Sequence, residues 1–143
     1  LTFEVGPTVL LWPPNHQMVP LSLVGSFLDA TSGGLARVTV ELRSSEPDPG
    51  PGNKSAGDTD GADGYTSPVV RAATVGALGQ IAAACQLRAE RSNGAGIERT
   101  YFVTVHGSDA AGNTASLTRH VWVPPNQGAA HTCDDAQCPL RQP

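Results

Sequence analysis

The side chains best equipped for chemistry are acidic and lie close together. Between Ser44 and Ser67 the chain carries Glu46, Asp48, Asp58, Asp60 and Asp63, with Asn53 nearby. The run Asp58-Thr-Asp60-Gly-Ala-Asp63-Gly64 offers three carboxylates within six residues, and its glycines permit a tight wrap. Ca²⁺ takes about six to eight oxygens on a flexible frame, so this loop is the expected calcium site. It is not an EF-hand, because the fifth position is Ala62 and no Glu stands at the twelfth. A bound ion would also order so long a loop, since binding energy offsets the cost of fixing it. The alternative is a solvated acidic loop that holds no ion. Asp109 and Asn113 read first as a capped turn, in which Asp109 bonds nearby backbone, and second as further calcium ligands.

Trp12 and His16 stand in a proline-braced segment and are the expected ligand-contact residues. Trp12 reads first as a plug for the core and second as a contact surface, since a lone aromatic makes a poor stacking platform. His16 reads as a local hydrogen-bonding residue ahead of a metal ligand. Cys133 and Cys138, in a polar tail, are expected to close a small disulfide loop in an oxidising compartment. With His131 alone beside them they do not complete a zinc site. Cys85 lies in an apolar stretch and reads as a small buried hydrophobe. Catalysis is not expected. Ser44, His106 and Asp109 could be written as a triad, but the chain has neither Gly-x-Ser-x-Gly nor His-Glu-x-x-His. The acids gather in one loop and do not oppose each other across a cleft.

These residues must be held by a chain of 143 residues, a length that fits one domain with one core. Charged residues make up only 15%, against roughly 25% in soluble proteins generally. Gly (16) and Pro (12) are in surplus, which implies many turns and few long helices. The net charge is −4 and no basic patch is present, so nucleic-acid binding by counterion release is not expected. No apolar run approaches the roughly 20 residues of a membrane span. The chain begins at Leu1 without a signal-peptide pattern and reads as a mature or excised fragment.

Alternation with period two predicts strands. Val19, Leu21 and Leu23 share one face. Val38, Val40 and Leu42 share another, opposite Arg37, Thr39, Glu41 and Arg43. Ile81, Ala83, Cys85, Leu87 and Ala89 follow; this Ala-rich run could be helical, but it lacks an N-cap and follows Gly76 and Gly79. Tyr101, Val103 and Val105 form the fourth. Ala115, Leu117, Val121 and Val123 form the fifth, with Arg119 intruding on the apolar face. Asp109, Gly112 and Asn113 mark a hairpin between the last two. Thr2 to Val5 and Val9 to Leu11 are expected edge strands. Ser44 to Ser67 is expected to contain no strand. Residues 1–125 are thus expected to form a β-sandwich of about seven strands, and 126–143 a polar tail or linker.

The segments Leu11-Trp-Pro-Pro-Asn-His-Gln-Met18, Ser44-Ser-Glu-Pro-Asp48, Leu87-Arg-Ala-Glu-Arg-Ser92, Tyr101-Phe-Val-Thr-Val105 and Asp109-Ala-Ala-Gly-Asn-Thr114 occur in that order. Together they resemble a bacterial extracellular immunoglobulin-like module, across roughly Leu10 to Pro125. The resemblance implies an antiparallel sandwich, a secreted or surface address and calcium, and it implies no activity. It also casts Tyr101 as a tyrosine-corner residue that anchors a loop through its hydroxyl. The expected role is a non-catalytic structural or adhesive module beside neighbouring domains of a larger protein. The alternative is a carbohydrate- or protein-binding accessory module of a secreted enzyme.

Overall fold

Alternation of side chains dictates where the strands lie. A computed structural model describes residues 2–6, 10–12, 14–27, 35–46, 57–90 and 99–124. Among them are eight strands and no helix: β1 (Thr2–Gly6), β2 (Met18–Ser26), β3 (Leu35–Ser44), β4 (Val69–Ala72), β5 (Thr74–Val75), β6 (Gln80–Arg88), β7 (Arg99–Asp109) and β8 (Thr114–Val123). They form two antiparallel four-stranded sheets, ordered β1-β2-β6-β5 and β4-β3-β7-β8. The Ala-rich run is a strand, as its rhythm requires. Ile81, Cys85 and Leu87 are buried, while Gln80, Ala82, Ala84 and Gln86 are exposed. A helix would have scattered those apolar residues around its circumference.

The inner faces of the two sheets supply one core. Leu21, Leu23, Ile81, Cys85 and Leu87 come from the first sheet, and Val38, Val40, Leu42, Tyr101, Val103, Val105, Val121 and Val123 from the second. Arg119 does not break the last strand. β8 runs through it in register, opposite Val103, with Arg119 half-buried at the sheet margin.

Three expectations need correction. The strands number eight among the described residues, because β4 and β5 lie in a stretch where no alternation was evident. β4 buries only Val69, and β5 is two exposed residues held by pairing with Ala82 and Ile81. The expected edge strand at Val9 to Leu11 reduces, in its described part, to a single parallel bridge from Leu10 to Trp122. Leu11, not Trp12, plugs the core: Leu11 is buried, whereas Trp12 is 40% exposed.

The strands give the molecule two distinct ends. Thr2 pairs with Ser26 and Gln80 pairs with Ser26, so the chain enters at the end that also holds Phe27. There Phe27 donates its N–H to the Gly79 carbonyl at 2.9 Å, and its ring lies against Gly107 of the other sheet. A Cβ on Gly107 would come within 2.3 Å of that ring, so only glycine allows this closure. Tyr101, Ser44, Arg88 and Val123 mark the opposite end, where the described chain leaves at Pro124.

Candidate functional site

The described half of the acidic loop is built by a two-residue turn. Asp60 and Gly61 both have positive φ, 51° and 90°, as a type I′ turn requires. Thr59 and Ala62 close it, with N–H to carbonyl distances of 2.8 and 3.0 Å. This small hairpin lies along β6 beyond the stretch that pairs with β5. Arg88 donates its N–H to the Asp58 carbonyl at 2.9 Å, and Asp60 donates to the Gln86 carbonyl at 2.7 Å. Strand-like pairing there points the Asp58 side chain inward, where it is fully buried.

A buried carboxylate needs a counter-charge, because isolation from water would otherwise cost several kcal/mol, of the order ~3–5 when its partner is removed. Arg99 supplies one, also fully buried, through a charge-assisted bond from Nη1 to Asp58 Oδ2. Arg88 supplies a second, with Nε 3.0 Å from Asp58 Oδ1. Arg99 then reaches Glu46 Oε2 through Nε at 3.3 Å and donates to the Tyr101 hydroxyl at 3.1 Å. Its guanidinium carbon also stands 5.6 Å from the Tyr101 ring centre. The Tyr101 hydroxyl donates to the Arg88 carbonyl at 2.8 Å, which is the loop-anchoring role expected of it. Burial drives the Tyr101 phenol well above its ordinary pKa, and the neighbouring Arg99 works against that rise without cancelling it. Two guanidinium groups thus face two carboxylates, and the planar forks of arginine suit such multi-partner geometry.

A second pair abuts the first. Arg88 donates from Nη1 to the His16 carbonyl at 2.7 Å, and His16 donates its own N–H to the Ala89 carbonyl at 3.0 Å. These contacts hold His16 at φ 63°, a left-handed conformation uncommon for a non-glycine residue. Its Nδ1 lies 3.0 Å from Oε2 of Glu90, a fully buried carboxylate. His16 therefore acts locally, clasping the Trp12 segment to the end of β6.

The expected calcium residues do not converge. Glu46 and Asp58 meet at Arg99. Asp60 pairs with Arg71 Nε at 2.7 Å. Asp63 Oδ2 accepts from the Thr66 N–H at 2.8 Å and from its hydroxyl at 2.6 Å. Asp109 and Asn113 lie in the β7–β8 hairpin at the opposite end. There Asp109 accepts from the Asn113 N–H at 2.8 Å and from its side-chain amide at 2.6 Å. The Asn113 amide in particular holds the Asp109 carboxyl below the usual range. Asp48 and Asn53 lie outside the described residues, as do Cys133, Cys138 and the 126–143 tail. Among the described residues no three His, Cys, Asp or Glu side chains group as a metal-ion set.

Cys85 is buried, and burial, with Asp60 nearby, pushes its thiol up to about 12. Ser44, His106 and Asp109 stand apart. Ser44 is buried opposite Tyr101 and donates to the Glu46 carbonyl, while His106 is exposed on the outer face. Sequence reasoning missed Arg88, Arg99 and Glu90. The signal for Arg99 was available, since the rhythm of Tyr101, Val103 and Val105 extends back to place it on the inner face. The chain matches no protein-family model, no curated protein and no solved structure.

Proposed function

We propose that this chain is a non-catalytic, immunoglobulin-like structural module of a larger secreted or surface protein, set in line between neighbouring domains. The strand order supports the immunoglobulin-like reading. β1-β2-β6-β5 against β4-β3-β7-β8 corresponds to strands A-B-E-D against C′-C-F-G of that architecture, with Tyr101 near the start of the F strand. The extracellular address rests on the resemblance carried by Leu11–Met18, Ser44–Asp48 and Leu87–Ser92.

The observation that carries the in-line role is the course of the chain. The described chain starts β1 at Thr2 and finishes β8 at Val123, at opposite ends of the strands. A module so threaded adds its strand length to a stalk, about 33 Å for the ten residues of β8. Tension between those points runs along β1 and β8, which shears their ladders and loads many hydrogen bonds together. Exposed large apolar side chains fit contact with neighbours at both ends. Val24, Val75 and Leu78 lie toward the entry, and Leu10, Trp12 and Tyr65 toward the exit.

Single-molecule pulling tests this role. Force applied through the two termini should unfold the chain at a distinctly higher load than force applied between the amino terminus and an Ala77→Cys attachment. Ala77 lies at the same end as Thr2, so that geometry unzips pairs one by one. Equal rupture forces in the two geometries would overturn the in-line load-bearing reading.

A further inference from the structure

We propose that the outer face of the β4-β3-β7-β8 sheet binds a carboxylate-bearing saccharide. A trough of about 520 Å³ crosses this face. That volume falls within the roughly 300–1,000 Å³ of small-ligand sites and exceeds what a lone ion would fill. Strand register sets its floor. Thr39 of β3, His106 of β7 and Ser116 of β8 form one cross-strand row, and Arg37, Ser108 and Thr114 form the next. Short hydroxyl side chains in the middle and longer ones at the β3 margin leave the depression.

The hydroxyls of Thr39, Thr114 and Ser116 take no protein partner among the described residues, so they can both donate to and accept from a polyol. On the other side of the Thr39 row, next to Glu41, Thr104 and Thr118 bond each other at 2.8 Å, which ends the run of available hydroxyls. The charges select the class of ligand. Glu41 is held by Arg43 at 2.6 Å, which counters its negative charge, and it lies 3.8 Å from His106 Nε2. Arg37 is exposed and makes no ion pair among the described residues. The trough therefore presents one uncommitted guanidinium beside a field of hydroxyls. A sugar acid matches both, with its carboxylate on the Arg37 fork and its hydroxyls along the floor.

The test is a ¹H–¹⁵N NMR titration of the full chain with trigalacturonate, galactotriose and inorganic phosphate as probes. Trigalacturonate should shift the amides of Thr39, His106 and Ser116 saturably, with affinity in the millimolar range. Galactotriose should bind about tenfold more weakly. Arg37→Ala should bring the acid down to the level of the neutral sugar, with the rest of the spectrum preserved because Arg37 is exposed. Trp12→Ala should change nothing. The proposal is overturned if no saturable shifts occur on this face, or if Arg37→Ala binds trigalacturonate as well as the parent does. It is equally overturned if phosphate alone reproduces the full set of shifts.

Discussion

Replacing Arg99 by Met asks whether the buried charge cluster organises the loop end of the molecule. Arg99 is buried beside a fully buried Asp58, a mostly buried Glu46 and the hydroxyl of Tyr101. Methionine keeps much of the volume and removes the Arg99 charge, while Asp58 keeps its contact with Arg88 Nε at 3.0 Å. Removing one member of a buried ion pair costs about 3–5 kcal/mol. The remaining Arg88 contact places the expected loss near the lower end, about 3 kcal/mol. In a domain of this size each kcal/mol moves Tm by ~3–5 °C, so the variant should melt about 10 °C lower. Urea unfolding followed by far-ultraviolet circular dichroism at pH 7 measures the loss directly. Adding Asp58→Leu should recover a large part of it, because the fully buried carboxylate that lost Arg99 is then removed as well, and Arg88 still reaches the His16 carbonyl. A loss under ~1 kcal/mol, the scale of an exposed pair, would refute this account. So would a double variant whose cost equals the sum of the two single ones.

Calcium and chelator should leave Tm unchanged, because Asp58, Asp60, Asp63 and Asp109 are already engaged by arginines, a threonine and an asparagine; a rise of several degrees with calcium would show that the loop recruits an ion. His120 is held below its ordinary pKa by partial burial between Phe102 and Trp122. Its folded pKa lies below the unfolded value of about 6.5, so its contribution is fully present above that pH and is lost as pH falls through the folded pKa. Urea titrations from pH 7.5 to 5 should reveal that loss, in a range set by the imidazole pKa of about 6.5, and His120→Phe should flatten it. Cys85, with its thiol pushed up to about 12 and buried, should resist iodoacetamide in the native protein and react in urea. Rapid native labelling would mean that the end of β6 opens readily.

The central strands were legible because Val38, Val40 and Leu42, or Tyr101, Val103 and Val105, alternate over a length that only a half-buried strand explains. β4 and β5 were not, since four residues with one buried and two with none carry no period. Composition could not decide between Leu11 and Trp12 as the core plug. The backbone course through the Leu11–Trp122 hydrogen bond of 2.7 Å decided it. Asp58 in a Gly-rich acidic run looks like a cation ligand, and in a sense it is one. Its cations are guanidinium groups, one of them 41 residues further along the chain. No local pattern reveals a partner at that separation. The Asp-Gly turn at Asp60–Gly61 carried a hairpin signal, and without alternating neighbours it read as ligand spacing instead.

Glu46 and Asp58 are both fastened to Arg99, and they flank residues 47–57. A single guanidinium therefore serves as the common post for both ends of that stretch. Doubling the length of such a stretch adds only ~0.6 kcal/mol of closure entropy. The position is accordingly a natural port for grafting: epitopes, tags or protease sites of very different length could be exchanged there while the sheets keep their pairing.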